Sequence, residues 1–340
     1  MSTFFNSVHI TNFKSLKDVT LSDCKRINLL IGKPNVGKSN ILEAIGLFGL
    51  GYSRFNKNNK LTQFIRFDNT PELFFDGNTS APITVAINND GNEPSCRVDY
   101  QNLSHTHLFD KQLVISIFID GAQSKLTVNN DFELDSVEVG GTYNIKQYKF
   151  VHNPAFEKLN IPYLMPPFGA NLLNVIQEHT QLQKKLRDIF SAYNLKLVID
   201  TANNELRIQK EIKDGFVFSL SYSSIADTLQ RIIFFKAAIT SNEESILLFE
   251  EPEAHCFPPY IAHFTQEVIN STSNQFFIAT HSPYVLNDFL EYERDDVAIY
   301  MFDIKDGQTV IKRLTDSELN DVYEYGLDLF FNAELFTDEI

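Results

Sequence analysis

The sequence predicts an α/β protein built around a largely parallel central sheet. Three short apolar runs predict buried strands, at residues 27–31, 245–249 and 275–279, and helical spacing predicts the segments that accompany them, at 39–48, 224–240 and 258–270. Strands that are apolar without alternation are typical of parallel sheets covered on both faces. Because parallel strands need crossover connections, strands joined by helices indicate an α/β core.

The intervening segments predict a strand-rich antiparallel insertion and a smaller helical one. Apolar and polar residues alternate over residues 1–31, which end in the first apolar run. Turn residues interrupt short β-like runs between 70 and 150, at Pro71, Asp76-Gly77, Asn89-Asp90-Gly91 and Gly140-Gly141. Four prolines between 152 and 170 (154, 162, 166 and 167) indicate a linker. Beyond it we expect a helix over 171–193, strands over 194–201 and 204–210, strands over 297–303 and 308–313, and a last helix over 316–331. We divide the chain into 1–155, 156–222 and 223–340.

Composition narrows the function classes. The chain has 340 residues and a net charge of −15, so any nucleic-acid contact needs a local basic patch and not the overall field. Cys24, Cys96 and Cys256 are far apart and form no CxxC pair, which argues against zinc and disulfide frameworks and fits a reducing compartment. The first residues lack a signal-peptide pattern, and no run approaches membrane-spanning length. We expect a cytoplasmic protein.

Residues 32–39, GKPNVGKS, fit the phosphate-loop pattern GxxxxGK[ST]. The glycines permit a tight turn that brings backbone N–H groups close to phosphate oxygens at a helix N-terminus. Lys38 supplies a charge for the β- and γ-phosphates, and the Ser39 hydroxyl suits Mg²⁺. The strand before the loop and the helix after it are the context that the motif requires. The candidate nucleotide-binding residues are Gly32, Lys33, Pro34, Asn35, Val36, Gly37, Lys38, Ser39 and Asn40.

The segment PNVGKS also occurs in GTPases, which contain two further motifs. A GTPase needs DxxG near the γ-phosphate and [NT]KxD for guanine. No glycine of this chain has an aspartate three positions before it, and no lysine has an aspartate two positions after it. The sequence therefore predicts ATP, with Mg²⁺, as the ligand.

Polar residues follow the second and third apolar strands. Residues 246–249 run directly into Glu250 and Glu251, where α/β sheets place their ligands. Glu250 is a candidate Mg²⁺ ligand, and Glu251 a candidate to orient or deprotonate the attacking water. His281 follows the third strand, where an imidazole can hydrogen-bond a γ-phosphate. An exposed acidic turn and a structural histidine are the plainer alternatives.

The ends of the chain resemble ABC-type ATPases of the RecF/SMC/OLD-like class. NFKSLKDVTL and INLLIGKPNVGKSNILEAI resemble the amino end of RecF and SMC proteins, and EEPEAH with ATHSPYVL resembles the OLD-like branch. The resemblance covers about 1–50 and 245–290. It implies an ABC-ATPase head with a mixed or parallel central sheet, an antiparallel β subdomain and a small helical lobe. It also implies an ATP sandwich between two heads, with Walker A at 32–39, Walker B at 246–250, catalytic Glu251, switch His281 and a D-loop near 253–255.

The signature loop departs from this pattern. The segment 222–230 places Ser224 where the signature serine is expected, Ala226 where glycine is expected, and Asp227 next. The alternative is that Ser224 is simply a helix N-cap. For the Q-loop, Gln63 and Asn153 are the weak candidates.

Missing features limit the function further. The chain lacks the heptads of a coiled-coil arm and, after Pro283, the length of an OLD nuclease domain. Two basic clusters are candidates for nucleic-acid contact, although solvated faces explain them as well: Arg54, Lys57, Lys60 and Arg66, and Lys184, Lys185 and Arg187. We expect an ATPase switch whose head dimer gates a separate effector, a nuclease or toxin, in antiphage defence. A RecF-like DNA-repair clamp and an ATP-bound scaffold with little turnover are the alternatives.

Overall fold

The computed structural model describes residues 4–56, 59–89, 93–102, 111–138, 144–152, 155–213 and 215–337. Five sequence-based expectations lie outside these ranges, namely Lys57, Asp90-Gly91, Gly140-Gly141, Asn153 and Pro154. The chain forms two compact units. The first comprises Met1–Gln147, Glu244–Glu251 and Asn274–Ile340, and the second comprises Tyr148–Glu243 and Pro252–Ser273.

The first unit contains a six-stranded mixed sheet. Its strands are β3 (Ile27–Gly32), β9 (Ile145–Tyr148), β13 (Ile246–Glu250), β14 (Gln275–Ala279), β15 (Val297–Lys305) and β16 (Gln308–Arg313), in the order β16-β15-β3-β14-β13-β9. Strands β15, β3, β14 and β13 run parallel, and β16 is antiparallel to β15. Every residue of β3 and β14 is buried, which explains why these strands read as continuous apolar runs.

A seven-stranded antiparallel sheet forms the rest of the β structure in the first unit. Its order is β2-β1-β4-β5-β6-β7-β8, from β1 (Ser7–Phe13), β2 (Leu16–Leu21), β4 (Ile83–Asn88), β5 (Ser95–Asn102), β6 (Lys111–Ile119), β7 (Ala122–Val128) and β8 (Leu134–Glu138). Burial alternates along β4, with one face in the core. The two sheets contribute to one apolar cluster, to which Ile10, Ile115 and Leu248 belong together with Ile45 of the helix α1 (Lys38–Gly46).

The second unit is the small lobe. It contains α2 (Leu172–Glu178), α3 (Thr180–Ser191), α4 (Asp227–Thr240), α5 (Pro258–Asn270) and an antiparallel sheet of β10 (Lys196–Asp200), β11 (Glu205–Lys213) and β12 (Phe216–Ser221). The predicted helix over 171–193 is divided at His179, whose backbone is extended. Strand β12 was not expected from the sequence, because the apolar side chains of 216–218 are exposed and do not alternate with polar ones. The contacts group α4 with this unit, whereas the division at 222/223 placed it with the core.

The carboxyl-terminal segment, Asn274–Ile340, returns to the first unit and contains three helices: α6 (Pro283–Tyr292), α7 (Asp316–Tyr325) and α8 (Ala333–Thr337). The sequence analysis missed α6, which begins with Pro283 in its first turn. The helix predicted over 316–331 is too long. It begins at a capping box of Thr315 and Glu318 and ends at Gly326, which has the left-handed conformation of a helix stop (φ 62).

Within the described residues, no helix combines the length and apolar character needed to cross a membrane.

Candidate functional site

The phosphate-loop segment forms a tight turn between β3 and α1. Asn35 and Gly37 both have left-handed backbone conformations, at φ 62 and φ 100. A Cβ atom on Gly37 would lie 2.3 Å from Oγ1 of Thr309, so glycine is required here for space as well as for conformation. The amino end of α1 has no side-chain cap, which leaves its N–H groups available to an anion.

Two elements outside the motif hold the loop in place. Oγ1 of Thr309, in β16, donates to the backbone oxygen of Val36 over 3.0 Å, and Oγ of Ser15 lies 2.7 Å from Thr309 Oγ1. Asn40 donates its side-chain amide to Ser15 Oγ over 2.8 Å. The amide of Asn40, predicted to contact nucleotide, therefore supports the loop through Ser15. Ser15 and Thr309 were not recognisable as loop supports from the sequence, because they lie 294 residues apart.

Lys38 is buried with its ammonium group inside the loop. Its Nζ donates to the backbone oxygens of Gly32, over 2.8 Å, and Lys33, over 2.7 Å. Burial lowers the pKa of Lys38 to about 8, although the nearby carboxylates of Glu251 and Glu250 act in the opposite direction. The side chain of Lys33 points elsewhere and forms an ion pair of 2.9 Å with Glu334.

Ser39 and Glu250, the two candidate Mg²⁺ ligands, lie in direct contact. The Ser39 hydroxyl donates to Oε1 of Glu250, although the two residues are 211 positions apart. Strand β13 delivers Glu250 to the carboxyl edge of the sheet, next to Ala279 of β14. A hydroxyl and a carboxylate oxygen are the donors that Mg²⁺ prefers, so these residues fit a magnesium ion bound together with phosphate.

Glu251 and His281 face each other beyond this pair. Nε2 of His281 lies 3.6 Å from Oε1 of Glu251. Burial lowers the pKa of His281, the positive charge of Lys38 lowers it further, and Glu251 partly opposes both effects. The imidazole is therefore mainly neutral near pH 7. Glu251 has a left-handed backbone (φ 43) and donates its N–H to the oxygen of Ala279 over 2.8 Å.

Arg66 is a site residue that the sequence analysis assigned only to a basic cluster. Its Nη2 donates to Oε1 of Glu250 over 2.9 Å, and its Nε donates to Oε1 of Glu43 over 3.0 Å. Nothing local in the sequence indicates this pairing, because Arg66 precedes Glu250 by 184 residues.

The signature-loop candidate lies in the second unit. The N-cap interpretation of Ser224 is wrong, because α4 begins after Ala226 and Ser224 ends a 3₁₀ turn, where its Oγ lies 2.8 Å from that of Ser221. Asp227 is the first residue of α4 and forms an ion pair of 2.9 Å with Arg231. The roles of Ser224 and Asp227 in an ATP sandwich stay predictions.

The other motif candidates have more limited structural descriptions. Gln63 ends a 3₁₀ turn, Leu61–Gln63, in the first unit, while the alternative Q-loop residue Asn153 is outside the described residues. The predicted D-loop residues 253–255 belong to the second unit, where the backbone oxygen of His255 accepts from Oγ1 of Thr228 over 3.2 Å.

Residues 27–287 match the family described as "AAA domain, putative AbiEii toxin, Type IV TA system", which is more than half of the chain. The chain belongs to this family. The match includes the phosphate loop, Glu250 and Glu251 at the end of β13, and His281, so the residues assembled at this edge of the sheet lie inside the AAA domain.

Curated proteins that match parts of the chain include RecF proteins and a phosphatase. The chain is 21% identical to the DNA replication and repair protein RecF of Clostridium tetani over 257 residues, 70% of this chain and 67% of that protein. It is 20% identical to an ATP/GTP phosphatase of Helicobacter pylori over 318 residues, 81% of this chain and 85% of the relative. The match to RecF of Caldanaerobacter subterraneus subsp. tengcongensis is higher, at 35%, but it spans 65 residues and 17% of that protein.

A solved SMC head, described as bound to the C-winged helix domain of ScpA, has the same fold. It aligns with 93% of this chain and 99% of its own length, at a TM-score of 0.51 and 14% identity. The mixed sheet, the antiparallel sheet and the helical lobe are therefore those of an SMC head. The family match, the RecF relative and the SMC-head fold together support the predicted resemblance to ABC-type ATPases of the RecF/SMC-like class.

Proposed function

We propose that this protein binds ATP with Mg²⁺ at the phosphate loop, hydrolyses it, and uses head-to-head closure of two copies to gate a separate effector. The observation that supports catalysis is the assembly of Lys38, Ser39, Glu250, Glu251 and His281 at one edge of the central sheet from three separate segments. That set contains a phosphate-binding cation, a metal-binding oxygen pair and a base beside an imidazole, as phosphoryl transfer to water requires.

Each side chain has a distinct part in the proposed reaction. Lys38 and the α1 N–H groups hold the β- and γ-phosphates. Mg²⁺, held by Ser39 and Glu250, would offset phosphate charge. Glu251 accepts a proton from the attacking water, and neutral His281 donates a hydrogen bond to the γ-phosphate and loses that partner when phosphate departs.

Steady-state hydrolysis tests the catalytic part. Glu251→Gln keeps the shape of the side chain but removes its basicity, so we expect turnover to fall about 100-fold or more while fluorescent ATP still binds. Lys38→Ala should lose the binding itself. The matched control is Glu244→Gln, an exposed acid that precedes β13. Equal and negligible turnover in the wild type and in Glu251→Gln would contradict the switch and favour the ATP-bound scaffold.

The closure and effector parts rest on resemblance and need separate evidence. Glu251→Gln with ATP should double in mass by light scattering, and Ser224→Arg should remain monomeric, because a signature loop would meet the phosphates of the partner. The neighbouring genes then separate the physiological roles: a nuclease or toxin gene supports effector gating in antiphage defence.

A RecF-like DNA clamp is the second candidate, favoured by the 257-residue match to RecF of Clostridium tetani. It predicts salt-sensitive DNA binding by the ATP-loaded Glu251→Gln protein. Exposed Lys184 and Arg187 of α3 are the side chains to replace. Absence of DNA binding at low salt would remove this candidate, and neighbouring replication genes would favour it.

A further inference from the structure

Arg66 bridges two carboxylates in the first unit, and one of them is half of the proposed metal pair. The Nε of Arg66 and its backbone N–H both donate to Oε1 of Glu43, over 3.0 and 3.2 Å. Its Nη2 donates to Oε1 of Glu250 over 2.9 Å. One guanidinium therefore links a carboxylate on α1 to the carboxylate that ends β13.

Glu43 fixes one end of this bridge. Its side chain is completely buried, and Lys14 contacts its second oxygen. Nζ of Lys14 also donates to the backbone oxygen of Arg66 over 2.7 Å. A buried carboxylate held by two cations is costly to disrupt, because removal of either cation would leave part of its negative charge uncompensated. Arg66 is thus held in place although its own side chain is largely exposed.

The bridge balances the negative charge of Glu250 in the protein without ligand. Lys14, Glu43, Arg66 and Glu250 contribute two positive and two negative charges. Burial by itself lowers the pKa of Arg66, but Glu250 and Glu43 outweigh that effect and raise it above its ordinary value. The guanidinium therefore keeps its charge at every relevant pH.

The contact falls on the oxygen that a metal ion would use. Oε1 of Glu250 accepts from Nη2 of Arg66 and also from the hydroxyl of Ser39. A cation placed between Ser39 and Glu250 would lie within a few ångströms of a fixed positive charge and be repelled. Triphosphate at the loop brings negative charge that offsets this repulsion, so a cation and ATP favour each other's binding.

We propose that Arg66 is a positioning residue that holds Glu250 against Ser39 and keeps this pair from binding a divalent cation until nucleotide is present. The inference rests on the proposed ATP site and deepens it, since it makes cation binding conditional on nucleotide. Arg66 acts through Glu250, and it takes no part in the chemical step.

The inference is tested directly by Mn²⁺ binding, which electron paramagnetic resonance measures in the absence of nucleotide. Wild type should bind no more Mn²⁺ than Glu250→Gln does. Arg66→Gln should gain one site with affinity about tenfold higher or more, the effect of one partly screened charge. Arg66→Lys retains the charge and should behave as wild type. Arg54→Gln, which removes an exposed guanidinium from the same segment, is the matched control.

Two outcomes would overturn the inference. The first is a folded Arg66→Gln protein whose Mn²⁺ affinity equals that of wild type, or whose gain persists when Glu250→Gln is added. The second needs no variant: wild type that binds Mn²⁺ equally well with and without ATP. A different result would contradict the proposed function, namely that the wild-type protein does not bind fluorescent ATP. The comparison of Mn²⁺ binding without nucleotide does not depend on that result.

Discussion

At the scale of single residues, the buried ammonium group of Lys38 decides how the site responds to pH. Its pKa of about 8 lies within the accessible range, whereas an exposed lysine titrates near 10.5. Above pH 8 the free protein increasingly presents a neutral amine to the phosphates. ATP favours the charged form, so binding above this pH must be accompanied by proton uptake.

The affinity for a fluorescent ATP analogue should therefore fall as pH rises from 7.5 to 9.5, by about tenfold per pH unit once Lys38 has lost its proton. Lys38→Arg stays charged throughout, so its affinity, although lower, should change little over the same interval. A wild-type profile as flat as that of Lys38→Arg would show that Lys38 keeps an ordinary pKa.

At the scale of elements, β16 contributes to a loop that lies far from it in sequence. Thr309 is buried and joins the backbone of Val36 to Ser15, so the phosphate loop is supported from both sheets of the first unit. Such support fixes the loop before phosphate arrives, which reduces the conformational entropy lost on binding.

Thr309→Val should reduce the free energy of unfolding by about 1–2 kcal/mol, because it leaves the oxygen of Val36 without its donor. It should also weaken ATP-analogue binding several-fold, measured by fluorescence alongside urea unfolding. Thr11→Val is the control, because Thr11 bonds Thr84 within the antiparallel sheet, over 2.6 Å. Equal losses of affinity in both variants would mean that Thr309 acts through general stability.

At the scale of the whole molecule, charge is divided unevenly. The second unit carries eleven basic and eleven acidic residues, so the net charge of −15 belongs entirely to the first. Several acids lie at the carboxyl end of α6 or directly after it. Arg26 pairs with Glu293 and Asp296, while Glu291 and Asp295 have no ion pair among the described residues.

Glu291→Gln should raise the free energy of unfolding by about 0.5 kcal/mol at low salt, since it relieves like-charge repulsion at a helix carboxyl end. The gain should vanish in 0.5 M KCl. Glu293→Gln is the contrasting variant and should destabilise, because Arg26 is buried and would lose a partner. Thermal melts at two salt concentrations measure both, and a salt-independent gain would contradict the electrostatic explanation.

The sequence by itself determined the features that are contiguous in the chain. Each of these features occupies one short segment: the phosphate loop, the carboxylates at the end of β13, and the buried strands β3 and β14. Local patterns of glycine, charge and apolar residues are sufficient to recognise them. Ser39 and Glu250 were each recognised as candidate Mg²⁺ ligands in the same way, from the phosphate-loop pattern and from carboxylates that end an apolar strand.

Tertiary structure alone decided which distant side chains complete the site. Arg66 contacts Glu250, which lies 184 residues away in the sequence. Thr309 contacts Ser15, which lies 294 residues away, and also contacts the loop. Neither pair has a local signature. Helix limits were decided in the same way: Ser224 did not become the cap of α4, and α7 stopped at Gly326. Long-range contacts depend on how sheets and loops pack together, and a single sequence does not encode that packing in any one segment.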